Sequence, residues 1–129
     1  MSSGSRRAES TGHARAQAKL GLLYLSGRGV PRDTALAHLW YLRAAEAGDD
    51  EGMAGLAVVH VQSDFDGRDP IEAMKWALLA ARRSNAFAER LIEREFATLS
   101  PEERALAKTR ADAWERARAM DLPHGDRER

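Results

Sequence analysis

Apolar positions recur along the chain with the spacing of α-helices, and the alternation that is typical of strands is missing from the sequence. From Ala14 onward, one helical face carries Gln17, Leu20, Gly21 and Tyr24. Gly27 and Gly29 predict the end of this first helix, because glycine adopts left-handed backbone angles without a Cβ clash. The pattern predicts an all-α protein.

The same spacing predicts five further helices, over about 33–47, 51–62, 70–83, 86–97 and 101–120. Asp33 and Asp69 suit the N-cap position, where a carboxylate accepts hydrogen bonds from the free amides of the first turn. Ser100 and Glu103 have the spacing of a capping box. The N-termini of three of these helices are therefore marked in the sequence.

The helices belong to a sequence pattern that repeats after 36 positions without a gap. The recurrences include Leu20 and Leu56, Asp33 and Asp69, Ala37 and Ala73, and Trp40 and Trp76. A period of this length predicts stacked helix pairs, none of which buries its apolar face alone. We expect the tryptophans to fill the space between units, so that Trp40→Ala lowers stability by about 3–5 kcal/mol.

The first unit carries the positions Ala16-Gln17, Leu20-Gly21, Tyr24, Gly27, Gly29-Val30, Asp33, Ala37, Trp40-Tyr41, Ala44-Ala45 and Gly48-Asp49. In these positions it resembles a Sel1-like repeat, a relative of the tetratricopeptide repeat with a longer inter-helix loop. The second unit departs from this pattern at Ala57, at His60 and in the loop 63–67. The resemblance implies a right-handed α-solenoid that serves as an adaptor for other proteins.

The repeats define the expected domain organisation. We expect a single domain over 13–120, with repeats at 14–49 and 50–85 and a partial repeat at 86–120, which a closing helix completes. Residues 1–12 are small and polar, and we expect them to form a disordered lead. Residues 121–129 contain Pro123 and Gly125, and we expect a frayed tail there.

The composition narrows the choice of partners and location. Lys plus Arg number 20 and Asp plus Glu number 20, so the basic excess that nucleic acid or an anionic membrane would attract is missing. The chain has no cysteine, which excludes disulfides and thiolate metal sites. No apolar run suits a membrane span or a signal peptide, and we therefore predict a cytoplasmic protein.

The first helix of each repeat presents a stripe opposite its core face, and this stripe is the candidate binding site. Its members are Arg15, Lys19, Leu22 and Ser26, then Glu51, Val58 and Gln62, then Phe87, Leu91 and Arg94. Charge mixed with apolar anchors is typical of a peptide-binding groove. We predict that a partner protein or peptide binds there. The alternative is that the apolar members only pack one first helix against the next.

The aspartates that follow His60 suggest a second class of function, an enzyme or a metal-dependent regulator centred on His60, Asp64 and Asp66. The spacing does not fit a calcium loop, because glycine comes too early and Lys75 stands where a glutamate is needed. No phosphate loop, cysteine nucleophile or serine–histidine pattern is present. We therefore expect no catalytic residues, no metal and no cofactor.

Two further expectations concern the ends of the stack. No polar capping helix is apparent before Ala14, which predicts an open outer face on the first repeat, with Tyr41 and Leu42 at this exposed end. Such a face favours a homodimer through the uncapped N-terminal repeat. A third reading of the chain is that it forms the C-terminal part of a longer repeat protein without separate activity.

Overall fold

The computed structural model describes residues 3–62 and 64–121. Within them lie six helices and no strand: α1 (Ser3–Ser26), α2 (Thr34–Glu46), α3 (Asp50–His60), α4 (Pro70–Arg82), α5 (Ala86–Glu95) and α6 (Pro101–Asp121). Helix α1 packs on α2, α3 on α4, and α2 on α3, so the helix pairs stack. The predicted α-solenoid is confirmed. None of the described helices has the length and apolar character to cross a membrane.

Helix α1 begins at Ser3 and runs through residues 3–12, where the sequence predicted a disordered lead. This stretch has no apolar stripe and contains glycine and serine, which are weak helix formers, so the sequence pattern did not indicate its helix. The predicted frayed tail lies outside the described residues, except for Asp121 at the end of α6.

The predicted N-caps form in the structure. The carboxylates of Asp33 and Asp69 accept hydrogen bonds from amides in the first turns of α2 and α4. Ser100 and Glu103 form the reciprocal capping box: the Ser100 amide donates to Glu103 Oε1 at 2.9 Å, and the Glu103 amide donates to Ser100 Oγ at 3.1 Å. Local polar residues therefore fix where these helices begin.

The turns between repeats follow the 36-residue period as well. Gly48 and the equivalent Ser84 both have left-handed backbones, with φ of 93° and 66°. The next residues, Asp49 and Asn85, cap α3 and α5 through their side-chain oxygens. The second junction therefore keeps the backbone shape of the first, although an L-residue there costs about 1–2 kcal/mol.

Tyr41 lies at the centre of the first interface between repeats and is 5% exposed. A Cβ atom at Gly21 of α1 would come within 2.8 Å of its ring, and one at Gly55 of α3 would also meet it. The ring therefore occupies a slot that two glycines leave open. The expectation that Tyr41 belongs to an exposed end is wrong, and Leu42 is partly buried against the core.

The two equivalent tryptophans differ in environment. Trp76 of α4 is 3% exposed and meets Trp114 of α6 edge to face, with ring centroids 5.8 Å apart. Trp40 of α2 is only partly buried, and the Arg43 guanidinium lies 5.1 Å from its ring centroid. Because α6 covers Trp76, the large stability effect expected of Trp40 belongs to Trp76 instead.

Candidate partner-binding groove

A groove of about 320 Å³ opens among the first helices α1, α3 and α5. Tyr41 of α2 contributes to its lining, together with small residues of the first helices such as Ala18, Ala54 and Gly55. The lining also includes five residues that the sequence predicted for the groove: Lys19, Leu22, Glu51, Val58 and Phe87. The period therefore brings half of the predicted set together.

Exposed apolar side chains stand at two sides of the groove. Leu22 of α1 is 52% exposed and Phe87 of α5 is 44% exposed. Val58 of α3 lies between them in the repeat order and is partly buried against the core. Clustered apolar surface of this kind gains free energy when a partner removes it from water.

The polar groups of the groove are of mixed sign. Lys19 and Glu51 both line it and are exposed, so the lining carries one positive and one negative side chain. Burial, and secondarily the Glu51 carboxylate, raises the pKa of Tyr41 to about 12. The Tyr41 hydroxyl therefore keeps its proton at neutral pH and retains its capacity to donate a hydrogen bond.

Arg15, another predicted groove residue, forms a strut beside the groove. Its Nε donates to Asp49 Oδ1 at 2.9 Å and its Nη2 to Asp50 Oδ1 at 3.1 Å. Asn85 Nδ2 donates to the other oxygen of Asp50 at 2.7 Å. The hydrogen bond to Asp49 is the main cause that raises the pKa of Arg15. This polar ladder connects α1 with the N-termini of α3 and α5.

Three more predicted residues do not line the groove. Ser26 Oγ donates to the carbonyl of Leu22 at 2.7 Å, and Gln62 Nε2 donates to the carbonyl of Val58 at 3.2 Å. Each side chain therefore bonds to the backbone carbonyl four residues earlier, at the end of α1 or α3. Arg94 is exposed on α5 outside the lining.

Leu91 belongs to the core rather than to the groove, with 3% of its surface exposed. It takes the repeat position of Gly55, and Ala77 takes that of Tyr41. Ala77 is buried as well, so the order of large and small residues is the reverse of that at Tyr41 and Gly55. The helical pattern did not indicate Tyr41 as a lining residue, although the glycines at 21 and 55 are a signal for a large ring nearby.

The departures of the second repeat build an aromatic cluster, which we define as His38, His60 and Phe65. Phe65 stacks on His38 with ring centroids 4.9 Å apart, and His60 meets both rings edge to face at 5.4 and 5.5 Å. His60 is 8% exposed, and its Nδ1 has no hydrogen-bond partner among the described residues. Burial lowers the pKa of both histidines.

The Asp64 carboxylate is bound by residues at or just before the start of α2. It accepts from Thr34 Oγ1 at 3.0 Å and from Arg32 Nη2 at 3.2 Å. The hydrogen bond from Thr34 is the main cause that lowers the pKa of Asp64. In the part of the chain that the structure describes, no three His, Asp or Glu residues form a group suited to a metal ion.

Stacked helix pairs with a 36-residue period and a groove along their first helices define an α-solenoid repeat protein. The Sel1 repeat profile matches residues 14–49 and 50–85, the two units that the sequence predicted. These matches span more than half of the chain, and the protein belongs to the Sel1 repeat family. Comparisons with curated proteins and with solved structures give no match. Sel1 repeats generally mediate protein–protein interactions and are typically non-enzymatic.

Proposed function

We propose that this protein is an adaptor that binds a partner protein or peptide along the groove. The observation that carries the proposal is the exposed pair Leu22 and Phe87, which border a groove lined by Tyr41. A volume of about 320 Å³ is at the lower end of small-molecule sites, and it suits a few anchoring side chains of a polypeptide. The proposal includes a cytoplasmic location, with which a chain without cysteine agrees.

The partner segment has apolar anchors with polar neighbours. Its apolar side chains enter between Leu22 and Phe87, where they cover surface that is open to water. Lys19 and Glu51 then meet polar groups at the edge, and they set orientation more than affinity.

Negative charge in the groove should weaken the binding of a partner peptide. Peptides that bind the folded protein are selected from a displayed random library. The Kd of each selected peptide is measured by fluorescence anisotropy. We expect Leu22→Glu/Phe87→Glu to weaken binding at least about tenfold, because an apolar anchor would then desolvate a carboxylate. Both positions are exposed, so the variant should fold, and circular dichroism checks this.

Matched controls exist elsewhere on the surface. Leu39 and Leu106 are 39% and 41% exposed and lie outside the groove lining. Leu39→Glu and Leu106→Glu should leave the Kd unchanged. Selected peptides that bind the double groove variant as tightly as the unaltered protein would show that the groove is not the site.

We further propose a homodimer through the outer face of α1. Leu56 and Val59 of α3 are fully buried, whereas the equivalent Leu20 is partly exposed and Leu23 is 37% exposed. The preceding repeat packs on α3, and a second copy would give α1 a similar cover. Sedimentation equilibrium should show a dimer that Leu23→Glu converts to monomer. A monomer at the highest soluble concentration would rule out this dimer.

A further inference from the structure

The segment 61–69 joins α3 to α4, and two of its residues, Asp64 and Phe65, contact α2 or the residues just before it. Asp64 accepts hydrogen bonds from Thr34 Oγ1 and from Arg32 Nη2. Phe65 stacks on His38 and meets the edge of His60. In the first repeat, Gly29 takes the position of Phe65, so the equivalent loop has no such aromatic attachment. The aromatic cluster is therefore particular to the second repeat.

These attachments reach one end of the groove. Arg32 Nη1 donates to the carbonyl of Leu25 at 2.9 Å, while its Nη2 holds Asp64. Gln62 Nε2 donates to the carbonyl of Val58. Leu25 and Val58 both line the groove, so movement of the segment would loosen this end of it.

The aromatic attachment requires a neutral His60. Protonation makes both ring nitrogens donors, and Nδ1 is buried where no acceptor is described. An imidazolium in this position lacks both solvation and a hydrogen bond at Nδ1, which disfavours the closed cluster. Release of Phe65 would expose the His60 ring to water, where the imidazolium forms without this penalty.

The charges around His60 act in both directions. His38 of α2 and Lys75 of α4 oppose its protonation, whereas Asp69 and Glu72 favour it. Burial is the largest cause, and the pKa of His60 is lowered as a result. Since the pKa is lower in the closed state than in the released one, the closed state is favoured above about pH 6.5 and loses stability as the pH falls below it.

We propose that protonation of His60 releases the segment 61–69 and loosens the groove at Leu25 and Val58. Only the last step rests on the proposed function, because the segment responds to pH whether or not a partner binds. In a cell, a partner held at neutral pH would be freed on acidification. The device is a pH-sensitive latch on the candidate binding site.

Amide hydrogen exchange on the full chain tests the latch. Protection factors are compared at about pH 7.5 and pH 5, after correction for the intrinsic exchange rate, for segment 61–69 and for the loop 96–100, which contains no residue of the latch. We expect acidification to reduce the protection of 61–69 about tenfold relative to 96–100, because only 61–69 loses contacts when His60 is protonated.

Two variants take their residues from the chain's own repeats. His60→Tyr copies Tyr24 and His60→Phe copies Phe96, which occupy the same position in the first and third units. Both variants should lose the pH response of 61–69, and circular dichroism confirms that they fold. Equal responses of 61–69 and 96–100, or a response that persists in a folded variant, would overturn the latch.

Peptide affinity separates this inference from the proposed function. The Kd of the selected peptides is measured at both pH values for the unaltered protein and for His60→Tyr. Weaker binding at low pH in the unaltered protein alone supports the link from the latch to the groove. An exchange response with unchanged affinity refutes that link, and peptides insensitive to Leu22→Glu/Phe87→Glu refute the groove while leaving the exchange result in place.

Discussion

Replacement of Trp76 by alanine lowers the free energy of unfolding by about 3–5 kcal/mol, and the same change at Trp40 lowers it by much less. Trp76 is 3% exposed between α4 and α6, so its removal leaves a cavity. Trp40 is partly exposed already, and water fills the space that it vacates. Urea denaturation followed by circular dichroism measures both changes without a tryptophan signal.

The contact with Trp114 supplies the control for this prediction. A double-mutant cycle of Trp76→Ala and Trp114→Ala should give a coupling of about 0.5–1.5 kcal/mol, typical of edge-to-face aromatic pairs. No such coupling should appear between Trp40 and Trp114. Equal losses of stability for Trp40→Ala and Trp76→Ala would contradict the assignment of α6 as the cover of the second repeat.

The fold was predictable because its determinants are local and periodic. Asp33, Asp69 and Ser100 mark helix starts within a few residues, and the 36-residue period gives the stacking order. The helix over residues 3–12 of α1 was not predictable, because no apolar stripe marks that stretch. The cover on Trp76 was not predictable from spacing, because α6 leaves the repeat register and packs on α4.

The groove was predictable only in part. Addition of the period located Lys19, Leu22, Glu51, Val58 and Phe87, which share a direction on successive first helices. It did not indicate the contacts of Arg15, whose acceptors Asp49 and Asp50 lie on the two sides of the boundary between the repeats. It singled out His60 but not its contacts with His38 and Phe65, which join two repeats. Helical spacing alone does not contain such distant pairings.

Leu91 shows a further reason why the 36-residue period does not predict which residues line the groove. At the first junction a large residue on α2, Tyr41, faces a small one on α3, Gly55. At the second junction Ala77 on α4 and Leu91 on α5 take these positions, and both are buried. The order of large and small residues is therefore reversed between the two junctions. Equivalent positions conserve summed volume rather than direction or exposure.

This reversal predicts that the first junction accepts the arrangement of the second. Tyr41→Ala alone should lower the free energy of unfolding by about 3–5 kcal/mol through a cavity. Gly55→Leu alone should lower it by about 1–3 kcal/mol or more, because the new side chain meets the Tyr41 ring. In Tyr41→Ala/Gly55→Leu the leucine fills the space of the ring, so the double variant should be more stable than Tyr41→Ala.

Urea denaturation of the four proteins in the cycle measures the coupling, which we expect at about 0.5–3 kcal/mol in favour of the double variant. Leucine also has a higher helix propensity than glycine, by about 0.8–1 kcal/mol, and this gain must be separated from packing. Tyr41→Ala/Gly55→Ala provides the separation, since alanine gains the propensity without filling the cavity. If this control recovers as much stability as the leucine variant, propensity explains the result and the exchange of volumes between Tyr41 and Gly55 does not.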